Sequence, residues 1–252
     1  MAMQYKMHYL PRRAKTVTRE DWPETWRSHA IFASQFPVLT GDMAYMRYTN
    51  RIDTFAGEPA DLPDWISRDY DGVSTAEAAN PETLDGSSLT ADQRAQIDKD
   101  EERVFADYTP HYSFYSKETI VAGGPPGGAC LFAFLVRPAG MGVDPWMMRW
   151  HREHAALAQA LIGEESIVRY AHNRPHVPPP GNYPFDGIGE YWFKGDAEAI
   201  AAVQEDGLFA PLRDDLAKFC DMERSVFMAT SVFHGYPRPW NPGANFLGKP
   251  FG

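Results

Sequence analysis

Polar and apolar positions alternate at the start of the chain, with Tyr5, Met7 and Tyr9 set between Lys6 and His8. A period of two predicts a strand over 3–10, ended by Pro11, Arg12 and Arg13. The period then changes. Trp22, Trp26, His29, Ala30 and Ala33 recur at helical spacing behind Thr18-Arg19-Glu20-Asp21, which reads as a helix start. Strands are predicted over 43–52, 70–78 and 112–121. A charge-rich helix is predicted over 90–105, and a loop with Pro59 and Pro63 fills 53–70. The order β-α-β-β-α-β is the ferredoxin-like arrangement.

The run Gly123-Gly124-Pro125-Pro126-Gly127-Gly128 interrupts the pattern and reads as a turn or linker near mid-chain. The pattern then restarts. An apolar strand is predicted over 129–137. A helix follows with Asp144 as N-cap and Pro145 in the first turn, carrying Trp146, Trp150, His154, Leu157 and Leu161. Strands are expected over 167–172, 187–193 and 225–233, and helices over 196–204 and 209–219. The Pro- and Gly-rich tail over 235–252 is expected to wrap the surface.

Four landmarks recur in the same order. Trp26/His29 answers Trp150/His154, and Arg47-Tyr48 answers Arg169-Tyr170. Asp71-Gly72 answers Asp186-Gly187, and Phe105/Asp107 answers Phe219/Asp221. The offset shrinks from 125 residues (His29 to His154) to 114 (Phe105 to Phe219), about one small domain. The expected organisation is therefore α+β, with two tandem ferredoxin-like repeats over 1–124 and 125–252. Each repeat leaves one sheet face bare. Pairing the two sheets buries those faces, and an apolar chamber is expected between them.

With these landmarks, the sequence resembles the EthD family of the dimeric α/β-barrel superfamily. The second half fits the pattern better. In the first half the Trp-to-His spacing is one residue shorter, which predicts a different direction for His29. Relatives within the family include accessory proteins of ether degradation. They also include cyclases, isomerases, dehydratase/decarboxylases and cofactor-free monooxygenases of polyketide or aromatic metabolism. Haem-binding members occur in the wider superfamily.

Composition narrows the partners. A formal net charge of -10, with no basic run, argues against a nucleic-acid partner. No run of 18 apolar residues suggests a membrane span. The two cysteines, Cys130 and Cys220, read as buried hydrophobes, and a cytoplasmic location is the simplest expectation. Aromatic residues at 13% suit a pocket for a flat hydrophobic ligand, the partner expected here. The fused units could pair again as a homodimer. No nucleotide-binding glycine motif and no metal-ligand spacing is present, so no cofactor is indicated.

Imidazole titrates near neutral pH. His154 is therefore the first catalytic candidate and His29, its repeat partner, the second. A histidine that only bonds a backbone carbonyl is the plain alternative for each. Tyr170 and His172 share one strand face and, with Asn173, Tyr48 and His111, are the substrate-binding candidates. These residues predict a cofactor-independent enzyme using histidine acid/base chemistry on a hydrophobic small molecule, and the resemblance implies a lyase, dehydratase/decarboxylase, cyclase or isomerase acting on an aromatic or polyketide-like one. A cofactor-free monooxygenase and a non-catalytic ligand-binding accessory protein are the alternatives.

Overall fold

The eight predicted strands form, and they hydrogen-bond into one closed barrel. The structure, a computed structural model, describes residues 5–40, 43–162, 167–181 and 183–236. The expected surface path of the tail lies outside these residues, apart from 235–236, which belong to the last strand. The first half runs β1 (Tyr5–Tyr9), α1 (Trp22–Ala33), α2 (Pro37–Thr40), β2 (Met43–Arg51), β3 (Gly72–Ala78), α3 (Pro81–Asp85), α4 (Ala91–Val104) and β4 (Ser113–Gly123). The second runs β5 (Ala129–Leu135), α5 (Val143–Met148), a π-helical turn (Arg149–His154), α6 (Ala155–Leu161), β6 (Ile167–Pro175), β7 (Gly187–Phe193), α7 (Asp196–Ala202), α8 (Ala210–Leu216) and β8 (Val226–Tyr236).

The strand order around the barrel is β1-β3-β2-β8-β5-β7-β6-β4, and all neighbours are antiparallel. The halves meet edge to edge at two seams, β2 with β8 and β4 with β6. The glycine run between β4 and β5 crosses close to its neighbours. A Cβ at Gly127 would strike the Phe193 carbonyl, and Gly123 has a φ of 94°.

Local chemistry explains most boundaries. Thr90 caps α4, its hydroxyl accepting from the Gln93 amide while the Gln93 side chain accepts from the Thr90 amide. The second-half helix departs from expectation. Its N-cap is Gly142, and Asp144 lies inside the first turn. The same strap recurs in both halves: the Arg13 amide donates to Asp71 at 2.8 Å, and the Arg137 amide to Asp186 at 2.8 Å. Each bond ties the segment after the half's first strand to the start of its third.

Large side chains occupy the space between the sheets where a chamber is expected. The barrel interior is packed with Phe114, Phe132, Phe134, Ile188, Trp192 and Met228, all buried. Beside them lies a charge cluster in which Lys6, His8 and Glu190 are fully buried. Lys6 bridges Glu118 at 2.7 Å and Glu190 at 2.6 Å, His8 bonds Glu190 at 2.6 Å, and Arg169 pairs with Glu118 at 2.7 Å. The polar side of the β1 alternation thus points into the barrel, and Met7 and Tyr9 point to the helices. A closed barrel gives neither face to water. Side chains of this size fill the small interior of eight strands.

Candidate active site

Open space lies instead between the sheet and the helices of the first half. The cavity has roughly 780 Å³ of empty volume, its mouth and the adjoining open solvent included. Met7, Met43, Met46, Tyr48 and Leu39 supply much of its apolar wall. His29, Arg94, Glu101 and Thr109 supply polar groups.

His29 reaches this wall from α1, where Trp22, Trp26, His29 and Ala30 form the buried stripe. Its Nδ1 bonds Asp100 Oδ2 on α4 at 2.7 Å. Arg103 donates to the same carboxylate at 2.6 Å. Burial opposes charge on Asp100, but these bonds hold its carboxyl below the usual range. An ionised Asp100 fixes the proton on Nδ1 and leaves Nε2 as the basic nitrogen of His29. Tyr48 lies on the cavity wall, with Tyr9 beside it accepting from Trp26 Nε1 at 3.2 Å. Burial pushes the Tyr9 hydroxyl well above its ordinary pKa.

The corresponding space in the second half is closed. His154 keeps the carboxylate contact, its Nδ1 bonding Asp215 at 3.0 Å, but its Nε2 is taken by the Tyr191 hydroxyl at 2.9 Å. Tyr191 donates to Tyr170 at 3.1 Å, Tyr170 contacts His172, and His172 meets His151 at 2.7 Å. These rings pack among Trp146, Trp150 and Phe209, and His154 and His172 are fully buried. Burial lowers the pKa of His154 despite the Asp215 bond, and burial with its histidine neighbours holds His172 well below the ordinary value.

Tyr191 closes the second half. It stands four residues after Gly187, where the first half has Ala76 four residues after Gly72. A phenol thus stands in one half where the other has a methyl group.

The π-helical turn accounts for the unequal Trp-to-His spacing. It absorbs the extra residue between Trp150 and His154, so both histidines meet a carboxylate on a later helix. The different direction expected for His29 is thereby corrected. π-turns of this kind interrupt a helix without ending it.

The structure brings His29 and Tyr48 together on one cavity. It gathers His154, Tyr170 and His172 on the helix side of the second half, not inside the barrel. Asn173 faces the interior, donating to Glu190 at 3.0 Å. His111 is exposed on a 3-10 turn and pairs with Asp107 at 3.2 Å. Sequence reasoning missed Asp100, Asp215 and Glu101. All three lie within five residues before Phe105 or Phe219, but at no common spacing. Among the described residues, no three His, Cys, Asp or Glu side chains converge as a metal site, and no helix is long and apolar enough to cross a membrane.

Residues 138–223 match the EthD domain family. No curated protein matches the chain. Among solved structures it is similar to an anthrone oxidase-like protein, with 9% identity, 93% of each chain covered and a TM-score of 0.59. It is similar to a protein of Fusobacterium nucleatum provisionally assigned as a monooxygenase, with 7% identity, 99% of each chain covered and a TM-score of 0.56. A third, provisionally a chlorite dismutase, has 11% identity and a TM-score of 0.52, over 92% of this chain and 96% of that one. At such identities the likeness is one of fold. Residues 138–223 thus match the EthD domain, and the chain shares the fold of these structures, with its barrel closed within a single chain.

Proposed function

We propose that this protein is a cofactor-independent enzyme whose active site is the first-half cavity, with His29 as acid/base and a hydrophobic, aromatic small molecule as substrate. The observation that carries this reading is the His29–Asp100 pair on the wall of an open cavity, while the matching His154–Asp215 pair is sealed by Tyr191. The two halves, divided near 124/125, are read as diverged copies of one unit. One copy keeps the cavity and the other supplies structure. His154, Tyr170 and His172 then serve stability, and Tyr48 orients the ligand.

The chemistry is proton transfer. His29 Nε2 removes a proton from an acidic C–H of the bound molecule, and Asp100 stabilises the imidazolium that forms. The electron pair of the broken C–H bond moves into the ligand. The proton returns from Nε2 to the same or a neighbouring carbon. Such a step serves isomerisation and cyclisation, and it begins dehydration. It also generates the carbanion that a cofactor-free monooxygenase would need. Oxygen uptake separates that outcome from the others.

The test is hydrogen–deuterium exchange of enolisable aromatic ketones in D2O, followed by NMR. Wild-type protein should accelerate exchange, and His29→Gln should abolish it with the fold unchanged. Equal exchange by both proteins would reject the assignment.

A further inference from the structure

Glu101 lies one residue beyond Asp100 on α4 and lines the same cavity. It is 8% exposed, and its Oε2 is buried with no hydrogen-bond partner. An unsatisfied buried oxygen costs about 1–3 kcal/mol. A buried polar atom of this kind calls for an explanation, and a catalytic or binding role is one. His29 approaches from α1 and Tyr9 from β1. Tyr112 and Tyr115 approach from the turn before β4 and from β4, Asp85 from α3, and Arg94, Asp98 and Asp100 share α4.

We propose that Glu101 is the acid of this site, donating a hydrogen bond from its carboxyl to a carbonyl or phenolic oxygen of the substrate, so that the substrate class is an enolisable aromatic ketone or a phenol. The proposal rests on the reading of His29 given above and deepens it. When His29 Nε2 takes the α-proton, the C–H electrons form a carbon–carbon double bond and the carbonyl π-electrons move to oxygen. The Glu101 O–H steadies that oxygen without having to give up its proton. His29 then returns the proton to carbon, so no oxidant or reductant is needed. Burial favours the neutral acid, outweighing the Thr109 bond and the charges of His29 and Arg94, and raises the Glu101 pKa.

The experiment is 1-naphthol binding, followed by fluorescence between pH 5 and 9, for wild type, Glu101→Gln, Glu101→Ala and His29→Gln. Glutamine keeps a donor and does not titrate. Wild-type affinity should fall as pH rises through the Glu101 pKa. Glu101→Gln should bind with a flat pH profile up to the ionisation of naphthol itself. Glu101→Ala should lose about tenfold in Kd, the worth of one good hydrogen bond. His29→Gln should still lose affinity as pH rises, with the fall displaced to higher pH because the charge of His29 no longer lowers the Glu101 pKa, which separates Glu101 from His29 as the titrating group. Unchanged binding by Glu101→Ala overturns the proposal and leaves His29 standing, as does a wild-type profile that matches Glu101→Gln. Equal loss in Glu101→Gln and Glu101→Ala shows an ionised acceptor and also overturns it. No naphthol binding by wild type rejects the cavity reading itself.

Discussion

Replacing Lys6 with methionine tests how the barrel tolerates charge in its interior. Lys6 is fully buried and holds two carboxylates, Glu118 at 2.7 Å and Glu190 at 2.6 Å. Methionine fills the stem but leaves both acids without their ammonium. Removing one partner of a buried pair costs about 3–5 kcal/mol. In a chain of this length that lowers Tm by roughly 6–20 °C. The sign of the pH dependence follows from the acids. Burial opposes their charge, but Lys6, with His8 beside Glu190 and Arg169 beside Glu118, holds Glu190 well below and Glu118 below the ordinary glutamate value. Depressed carboxyls stabilise the native state above their unfolded pKa, about 4.3, and lose that contribution as pH falls through the folded value. In Lys6→Met the buried acids should instead sit above their unfolded value and cost most at neutral pH. The gap between wild type and variant should therefore be large at pH 7.5 and shrink toward pH 4.5, read by urea denaturation. Adding Glu190→Gln to Lys6→Met should recover part of the loss. A cost below about 1 kcal/mol, equal at both pH values, would refute a coupled buried cluster.

Two further outcomes follow from the helix-side packing. Tyr191→Ala should cost about 3–5 kcal/mol, because it empties a packed site and strips partners from His154 and Tyr170; it should also open a second cavity, detectable as new binding of a small aromatic probe. Gly72→Ala should destabilise by more than 2 kcal/mol in thermal melts, since a Cβ there would meet the Thr49 carbonyl and the Trp26 ring, and Gly187→Ala should do the same against Trp150.

Much of the fold was legible because each half announces itself with residues that do the same job twice. Trp26 and Trp150 close over Gly72 and Gly187, and Asp71 and Asp186 bind the arginine after each half's first strand. The position of the cavity was not legible from periodicity. Alternation assigns Lys6 and His8 to one face of β1, but it cannot tell which face looks into a closed barrel. The polar set went inward, where carboxylates from β4 and β7 neutralise it. The residue that seals the second half, Tyr191, stands opposite Ala76 once the Asp-Gly pairs are aligned. The histidine partners were harder to find. Asp100 lies five residues before Phe105 and Asp215 four before Phe219, so no fixed spacing marks them. The π-helical turn left only a one-residue difference in spacing as its trace.

The most direct measurement is a long-range proton–nitrogen NMR titration of the histidine rings with 1-naphthol. His29 Nε2 should shift on binding, while His154 and His172, sealed behind Tyr191 and Tyr170, should keep their positions. Shifts at His154 or His172 with His29 unmoved would contradict a ligand site in the first half.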